Sequence, residues 1–114
     1  MPRLLHDRAL FQALFTHVRT LDDAIREGTV FGYPAIFIDD RVACCVYGSG
    51  IGIRLPAGFA QLMVDRGRAF YFQPYGRSLM REWVEMRVPR DRLDEITHVL
   101  SESIRFMRAP RDST

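Results

Sequence analysis

The sequence predicts an α+β fold: a single antiparallel β-sheet meander packed by about three α-helices. Three observations lead there. Apolar residues recur at helical spacing near both ends of the chain and once in the middle, and the segments between them alternate with a period of two. The turns joining those alternating segments are short and polar, of hairpin length. A parallel strand pair would instead need a crossover of a dozen or more residues.

The first helix covers about residues 7–21, with Leu10, Phe11, Leu14, Phe15, Val18 and Leu21 on one face. Strands at residues 35–38 and 42–47 flank the polar turn Asp39-Asp40-Arg41. The second of these is apolar on both faces, which puts it in the centre of the sheet with cover on both sides. Gly48-Ser49-Gly50 turns the chain into an alternating strand at 51–55. A short middle helix starts near Pro56, a residue suited to a first turn, buries Phe59, Leu62 and Met63, and stops at Gly67. A strand at 69–72 follows, then one at 83–88 with Val84, Met86 and Val88 on one face. The last helix covers 91–107. Asp91 and Asp94 resemble a capping box at its start, and Leu93, Ile96, Val99, Leu100, Ser103, Ile104 and Met107 form its inward stripe. Ile96, Leu100 and Ile104 are expected to be almost fully buried. Residues 110–114 read as a loose tail.

At 114 residues the chain is expected to form one domain, 1–114, long enough to bury roughly two-thirds of its unfolded surface without a disulfide or metal. Hydrophobic residues make up 47% of it and the mean hydropathy is −0.10, which argues against disorder. No apolar run approaches the roughly 18 residues that span a bilayer, and the first residues lack the apolar core of a signal peptide. The expectation is a cytoplasmic protein with no membrane association. Cys44 and Cys45 are the only cysteines and sit side by side in a strand, pointing to opposite faces, so each reads as a small buried apolar residue.

Net charge is only +2, but all 16 basic side chains are arginine. Guanidinium forms bidentate pairs with phosphate and carboxylate that ammonium does not, yet so small a net charge is no general footprint for nucleic acid. Gly48-Ser49-Gly50-Ile51-Gly52 lacks both the third glycine and the following helix of a dinucleotide fingerprint, and reads as a hairpin turn. His6, His17 and His98 share no ligand spacing, and the pairs Asp22-Asp23 and Asp39-Asp40 read as solvated turn residues. No metal or cofactor is expected. The serines lack a nucleophile-elbow context, which leaves Cys45 with His98 as the remaining nucleophile pair to consider.

One region stands out. Between residues 66 and 81, Arg66, Arg68, Arg77 and Arg81 interleave with Phe70, Tyr71, Phe72 and Tyr75, uninterrupted by acid. Arginines beside aromatics hold phosphates while rings stack on bases. The same residues also fit a strand and a proline–glycine loop whose aromatics are core and whose arginines are solvated. The candidate binding residues are therefore Arg66, Arg68, Tyr71, Tyr75, Arg77 and Arg81, centred on the loop 74–80.

Ordered landmarks run through the same part of the chain: Phe31-Gly32-Tyr33-Pro34 before a strand, Leu55-Pro56 before the middle helix, then Pro74, Gly76, Met80, Trp83, Val84 and Pro89. In order and spacing these resemble the N-terminal domain of the TfoX (Sxy) family, over about residues 28–107. The resemblance implies an α+β fold without catalytic residues and a link to bacterial competence regulation. The family's regulators carry a further C-terminal domain, and Thr29-Val30 stands where many relatives have basic residues. Two readings follow. The first is a non-enzymatic regulatory module acting through a protein partner or as a homodimer. The second, also suggested for the similar YjbR-like proteins, is a weak nucleic-acid binder using region 66–81. Clustering of the four arginines on one face would favour the second, dispersal the first.

Overall fold

The computed structural model describes residues 7–110; His6 and residues 111–114 lie outside them. In chain order the elements are α1 (Arg8–Leu21), β1 (Ile25–Val30), β2 (Tyr33–Ile38), β3 (Arg41–Tyr47), β4 (Gly50–Arg54), α2 (Ala57–Asp65), β5 (Phe70–Tyr71), β6 (Trp83–Met86) and α3 (Thr97–Arg108). A turn of 3-10 character at Pro74–Gly76 precedes β6, and a 3-10 segment, Arg90–Ile96, leads into α3. The six strands form one antiparallel sheet in the order β1-β2-β3-β4-β6-β5. The meander holds through β4. After α2 the chain returns at the far edge, and β6 then fills the place between β4 and β5.

β1 was not expected, and its residues explain why. Ile25-Arg26-Glu27-Gly28-Thr29-Val30 interrupts its β-branched ends with Arg26-Glu27-Gly28 and shows no clean alternation. It is an edge strand held by its register with β2, from Ile25 opposite Ile38 to Val30 opposite Tyr33. The turn between them is Phe31-Gly32, both left-handed with φ of 55° and 80°, as a two-residue hairpin of matching twist requires.

The helices lie on one face of the sheet. Leu10, Phe11, Leu14 and Val18 of α1 pack with Leu93, Ile96, Val99 and Leu100 against Ile36, Cys44, Val46, Ile51, Ile53 and Val84. Asp7 caps α1 by accepting from Leu10 N at 3.0 Å, and its own N–H donates to the Gly48 carbonyl at 2.9 Å. α2 ends in a Schellman motif: Arg68 N–H donates to the Met63 carbonyl and Gly67 N–H to that of Val64, with Gly67 at φ 69°. The expectation for Gly67 holds, whereas Pro56 is the N-cap rather than a first-turn residue. The buried side of α2 is also not the expected one. Ala60 and Met63 are buried, Phe59 is half-buried and Leu62 stays 43% exposed, because this short helix meets only the β5–β6 margin of the sheet.

The last helix begins later than its sequence suggests. Residues Arg90–Ile96 are 3-10, with Pro89 at the N-cap and no side-chain cap, so the Asp91–Asp94 capping box does not form. Arg92 at φ −127° interrupts the helix and pairs with Glu95 at 2.6 Å. Side chains three apart eclipse in a 3-10 turn, which brings Leu93 and Ile96 to the same side against α1. In α3, Val99, Leu100, Ser103 and Met107 are buried, while Ile104 is only half-buried near the C-terminal end. Val88 falls outside β6 but packs half-buried against the core.

Polar contacts fix where α3 sits. The register of β2 with β3 moves from Ile36–Cys44 to Phe37–Val42, leaving Ala43 as an extra, bulged residue. The buried Ser103 hydroxyl donates to the Ala43 carbonyl at 3.0 Å, satisfying a group the bulge takes out of the ladder. At the C-terminus of α3, Arg41 Nη1 donates to the carbonyls of Phe106, Met107 and Ala109 at 3.4, 3.1 and 3.3 Å. Free carbonyls and the negative end of the helix dipole favour a cation there. Arg108 reaches back to Asp22 at 2.8 Å and Asp39 at 3.3 Å, joining two turns. Burial works against the Asp22 charge, but the Ala24 N–H and the Arg108 guanidinium outweigh it and hold the carboxyl below its ordinary value.

Leu100 is 1% exposed at the centre of this layer. Leu100→Ala is expected to cost about 2–5 kcal/mol in urea unfolding, and a loss below about 0.5 kcal/mol would place the core elsewhere.

Candidate functional site: the open face of the sheet

Among the described residues, the second face of the sheet carries no helix. Its central row runs across five strands as Gly28, Ala35, Cys45, Gly52 and Glu85, and four of these five side chains are small. The missing bulk is what lets aromatic rings lie on the sheet. A Cβ at Gly52 would stand 2.8 and 2.9 Å from Phe72 ring carbons and 3.0 Å from Cys45 Sγ. Similarly, a Cβ at Gly28 would stand 2.6 Å from the Phe37 ring. Phe72 is completely buried as a result, and the segment that follows it is folded back over the face.

Around Phe72 the rings form one connected cluster. Phe31 lies 5.8 Å from both Phe72 and Trp83, Phe72 is 5.7 Å from Trp83, and Tyr47 is 5.4 Å from Phe72. Tyr33 extends it at 4.8 Å from Tyr47 and 5.9 Å from Tyr75. Edge-on and tilted contacts at these separations are the favourable geometries for aromatic pairs. The central strand β3 is thus covered on both faces, as its sequence suggests, by helices on one side and by this cluster on the other.

The turn at residues 74–76 is clamped onto the cluster. Tyr75 is left-handed, with φ 58°, which is strained for a bulky side chain. Its N–H donates to Tyr47 Oη at 3.4 Å and its hydroxyl donates to the Phe31 carbonyl at 3.1 Å. Phe31 is itself left-handed, so two strained aromatics hold each other. The Arg77 guanidinium sits 5.0 Å from the Phe31 ring centre, and Gln73 Nε2 donates to the Arg77 carbonyl at 3.1 Å. Beside the exposed Gln73, Arg77 and Ser78, two large apolar side chains reach solvent here: Tyr75 is 55% exposed and Leu79 45%. Phe70, paired with Glu85 on the same face of the outermost strand, is 76% exposed rather than core.

The six sequence-derived candidates do not come together. Tyr75 and Arg77 belong to the open face. Tyr71 is half-buried against the core on the helical side, and Arg66 and Arg68 line a depression there with Phe59, Leu62, Met63 and His98. Arg81 is exposed in the turn before β6. The division follows from the alternation of β5, which sends Phe70 and Tyr71 to opposite faces. Sequence reasoning also missed Phe31 and Tyr47 as partners of the 74–80 loop. Both contacts join residues 28 or more apart in the chain, and only the Phe-Gly turn signal marked Phe31 at all.

The considered nucleophile pair is divided in the same way. Cys45 packs with Ala35, Phe72 and Trp83 on the open-face side, whereas His98 is exposed on α3 across the sheet. Burial pushes the Cys45 thiol up to about 12, with the Glu85 charge adding to it and the Gly52 N–H opposing, and burial pushes Cys44 higher still. His17 Nε2 and Thr97 Oγ1 share a hydrogen bond of 2.8 Å between α1 and α3. Among the described residues no group of three or more His, Cys, Asp or Glu side chains is placed to hold a metal ion, and no helix is long and apolar enough to cross a membrane.

Comparison of the chain with models of protein families, with curated proteins and with solved structures gives no match.

Two outcomes test this geometry. Gly52→Val is expected to displace the Phe72 ring, lower stability by about 1–3 kcal/mol through overpacking, and red-shift the fluorescence of Trp83, the chain's single tryptophan; unchanged emission would mean that the ring does not rest on Gly52. Both thiols should resist a disulfide reagent at pH 8 in the native protein and react fully in urea. Because their folded values lie above the ordinary 9.0, the stability they contribute is complete below about pH 9 and is lost as pH rises toward 12. Urea midpoints measured at pH 8 and pH 10 should show this fall.

Proposed function

We propose that the chain is a non-enzymatic regulatory module, akin to the TfoX N-terminal domain, that acts by binding a protein partner through the open face of its sheet. One observation carries this reading: three large apolar side chains, Tyr75, Leu79 and Phe70, are exposed in and beside the clamped loop, on a face that no helix of the described residues covers. Exposed apolar surface of this kind marks interaction sites. The backbone beneath is held by Tyr75, Tyr47 and Phe31, so little ordering entropy is left to lose on binding.

The nucleic-acid reading is the weaker one. Its arginines are divided between the two layers, Phe72 is wholly enclosed, and the Arg77 guanidinium already rests on Phe31. Four phosphate contacts on duplex DNA would give a slope near −3.6 in log affinity against log salt. The expected result is binding no tighter than about 0.1 mM at physiological salt. A submicromolar affinity lost in the Arg77→Ala, Arg81→Ala double variant would reverse the choice.

The partner test uses Tyr75→Ala combined with Leu79→Ser, both at exposed positions. The folded double variant, checked by circular dichroism, is expected to lose a partner that the unaltered chain retains from its native lysate. Retention of that partner by both proteins would remove the open face from the proposal. A second copy of the chain is the other occupant to consider, and light scattering at micromolar concentration separates a dimer from a monomer.

A further inference from the structure

The helical side carries a second surface of different chemistry. α2, Ala57-Gly58-Phe59-Ala60-Gln61-Leu62-Met63-Val64-Asp65, is apolar on most of its circumference, yet only Ala60 and Met63 are buried. The half-buried Phe59 and the exposed Leu62 floor an open depression of about 270 Å³, with the edge of the buried Met63 at its base, and Arg66, Arg68 and His98 stand at its rim. The Schellman turn sets this arrangement. It places Arg66 and Arg68 on either side of the left-handed Gly67, anchored by the Arg68 N–H on the Met63 carbonyl at 2.9 Å.

The rim is electrostatically unanswered. The ion pairs of the described residues engage Arg54, Arg87, Arg92, Arg105 and Arg108, and none engages Arg66 or Arg68. The nearest acids in sequence do not cancel it. Glu95 and Glu102 are paired with Arg92 and Arg105, and neither Asp65 nor Asp94 lines the depression.

We infer that this depression docks an acidic amphipathic segment of a partner protein, its apolar side chains on Phe59, Leu62 and Met63 and its carboxylates on Arg66 and Arg68. An amphipathic helix laid in an apolar groove is a recurring mode of recognition, and a methionine in the floor adapts to varied side chains. Arginine forks suit carboxylates bidentately. Nucleic acid fits less well, since the half-buried Phe59 is the floor's single aromatic ring and two arginines make no phosphate track. A second copy fits less well too: of the chain's other exposed apolar side chains, Tyr75 and Leu79 lie beside Arg77 and Arg81, which would meet this rim with like charge, and Phe70 stands opposite Glu85, a carboxylate already paired with Arg87. The surface lies in a different layer from the open face and does not depend on it.

The probe is a fluorescein-labelled synthetic peptide with leucine and phenylalanine at helical spacing on one face and glutamates flanking them, followed by anisotropy with the full chain. Saturable binding that weakens as salt rises is expected. Combining Arg66→Glu with Arg68→Glu should weaken it at least tenfold, and Leu62→Ser at least threefold, with folding checked by circular dichroism. Arg66→Gln with Arg68→Gln serves if charge reversal unfolds the chain. Tyr75→Ala should leave the affinity unchanged, so this surface and the open face fail or survive separately. Amide shifts in a titration should map to Phe59, Leu62, Met63 and His98. The inference is overturned by no saturation up to about 1 mM, a thousandfold weaker than a micromolar complex. It is equally overturned by unchanged binding in both double variants, by equal binding of a polyglutamate without apolar residues, or by a single-stranded oligonucleotide that binds the same site more tightly than the peptide.

Discussion

Phe72 rests on Gly52, and much of the molecule depends on that contact. An antiparallel sheet with all its helices on one side needs some other cover for its second face, or its central strand stays wet. Here the cover comes from the chain itself. A row of small residues lets Phe72 and Phe37 lie flat against the backbone. Once Phe72 is enclosed, Phe31, Tyr47 and Trp83 gather around it at ring separations of 5.4–5.8 Å and Tyr75 joins through Tyr47 at 6.2 Å, where aromatic pairs add stabilisation beyond their buried area. β3 can therefore be apolar on both faces without a second helical layer.

The same contact shapes the outer surface. Burying Phe72 turns the following loop over the sheet, and the loop stays there because two left-handed aromatics share a hydrogen bond. Strain of this kind persists only where surroundings over-determine it. Tyr75, at the rim of the cluster, and Leu79, farther along the loop, keep about half of their surface in solvent. An exposed apolar loop on a fixed base differs from a mobile loop that must be ordered when a partner arrives, and the former is the better docking surface.

Arginine has at least three separate roles in the molecule. Arg41 and Arg108 are structural, tying the C-terminus of α3 to turns of the sheet and the first helix. Arg26 and Arg77 lie over Phe37 and Phe31, covering ring faces at the edge of the open side. Arg66 and Arg68 enter no ion pair among the described residues and stand over an apolar floor. In a chain without lysine, composition hides this division, because every role uses the same residue type.

The sequence by itself determined the elements whose periodicity is local. α1, the β2–β3 and β3–β4 hairpins and the Gly67 stop were legible because amphipathic spacing and turn chemistry act within a few residues. The central place of β3 was legible from its two apolar faces. Tertiary structure alone decided the rest. β1 exists as a strand because β2 offers it a register, and Ile25-Arg26-Glu27-Gly28 carries little strand signal of its own. The Asp91–Asp94 cap gives way to a 3-10 segment that aligns Leu93 and Ile96 against α1, a packing demand no local rule contains. In the site, the basic-aromatic run from 66 to 81 was visible as composition, but whether it formed one surface depended on which side of the sheet each residue reached. Strand alternation and the burial of Phe72 divided it, sending Tyr75 and Arg77 to the open face and Tyr71, Arg66 and Arg68 to the helical side. Such a division arises from contacts between residues distant in the chain, and no reading of neighbours along the sequence contains it.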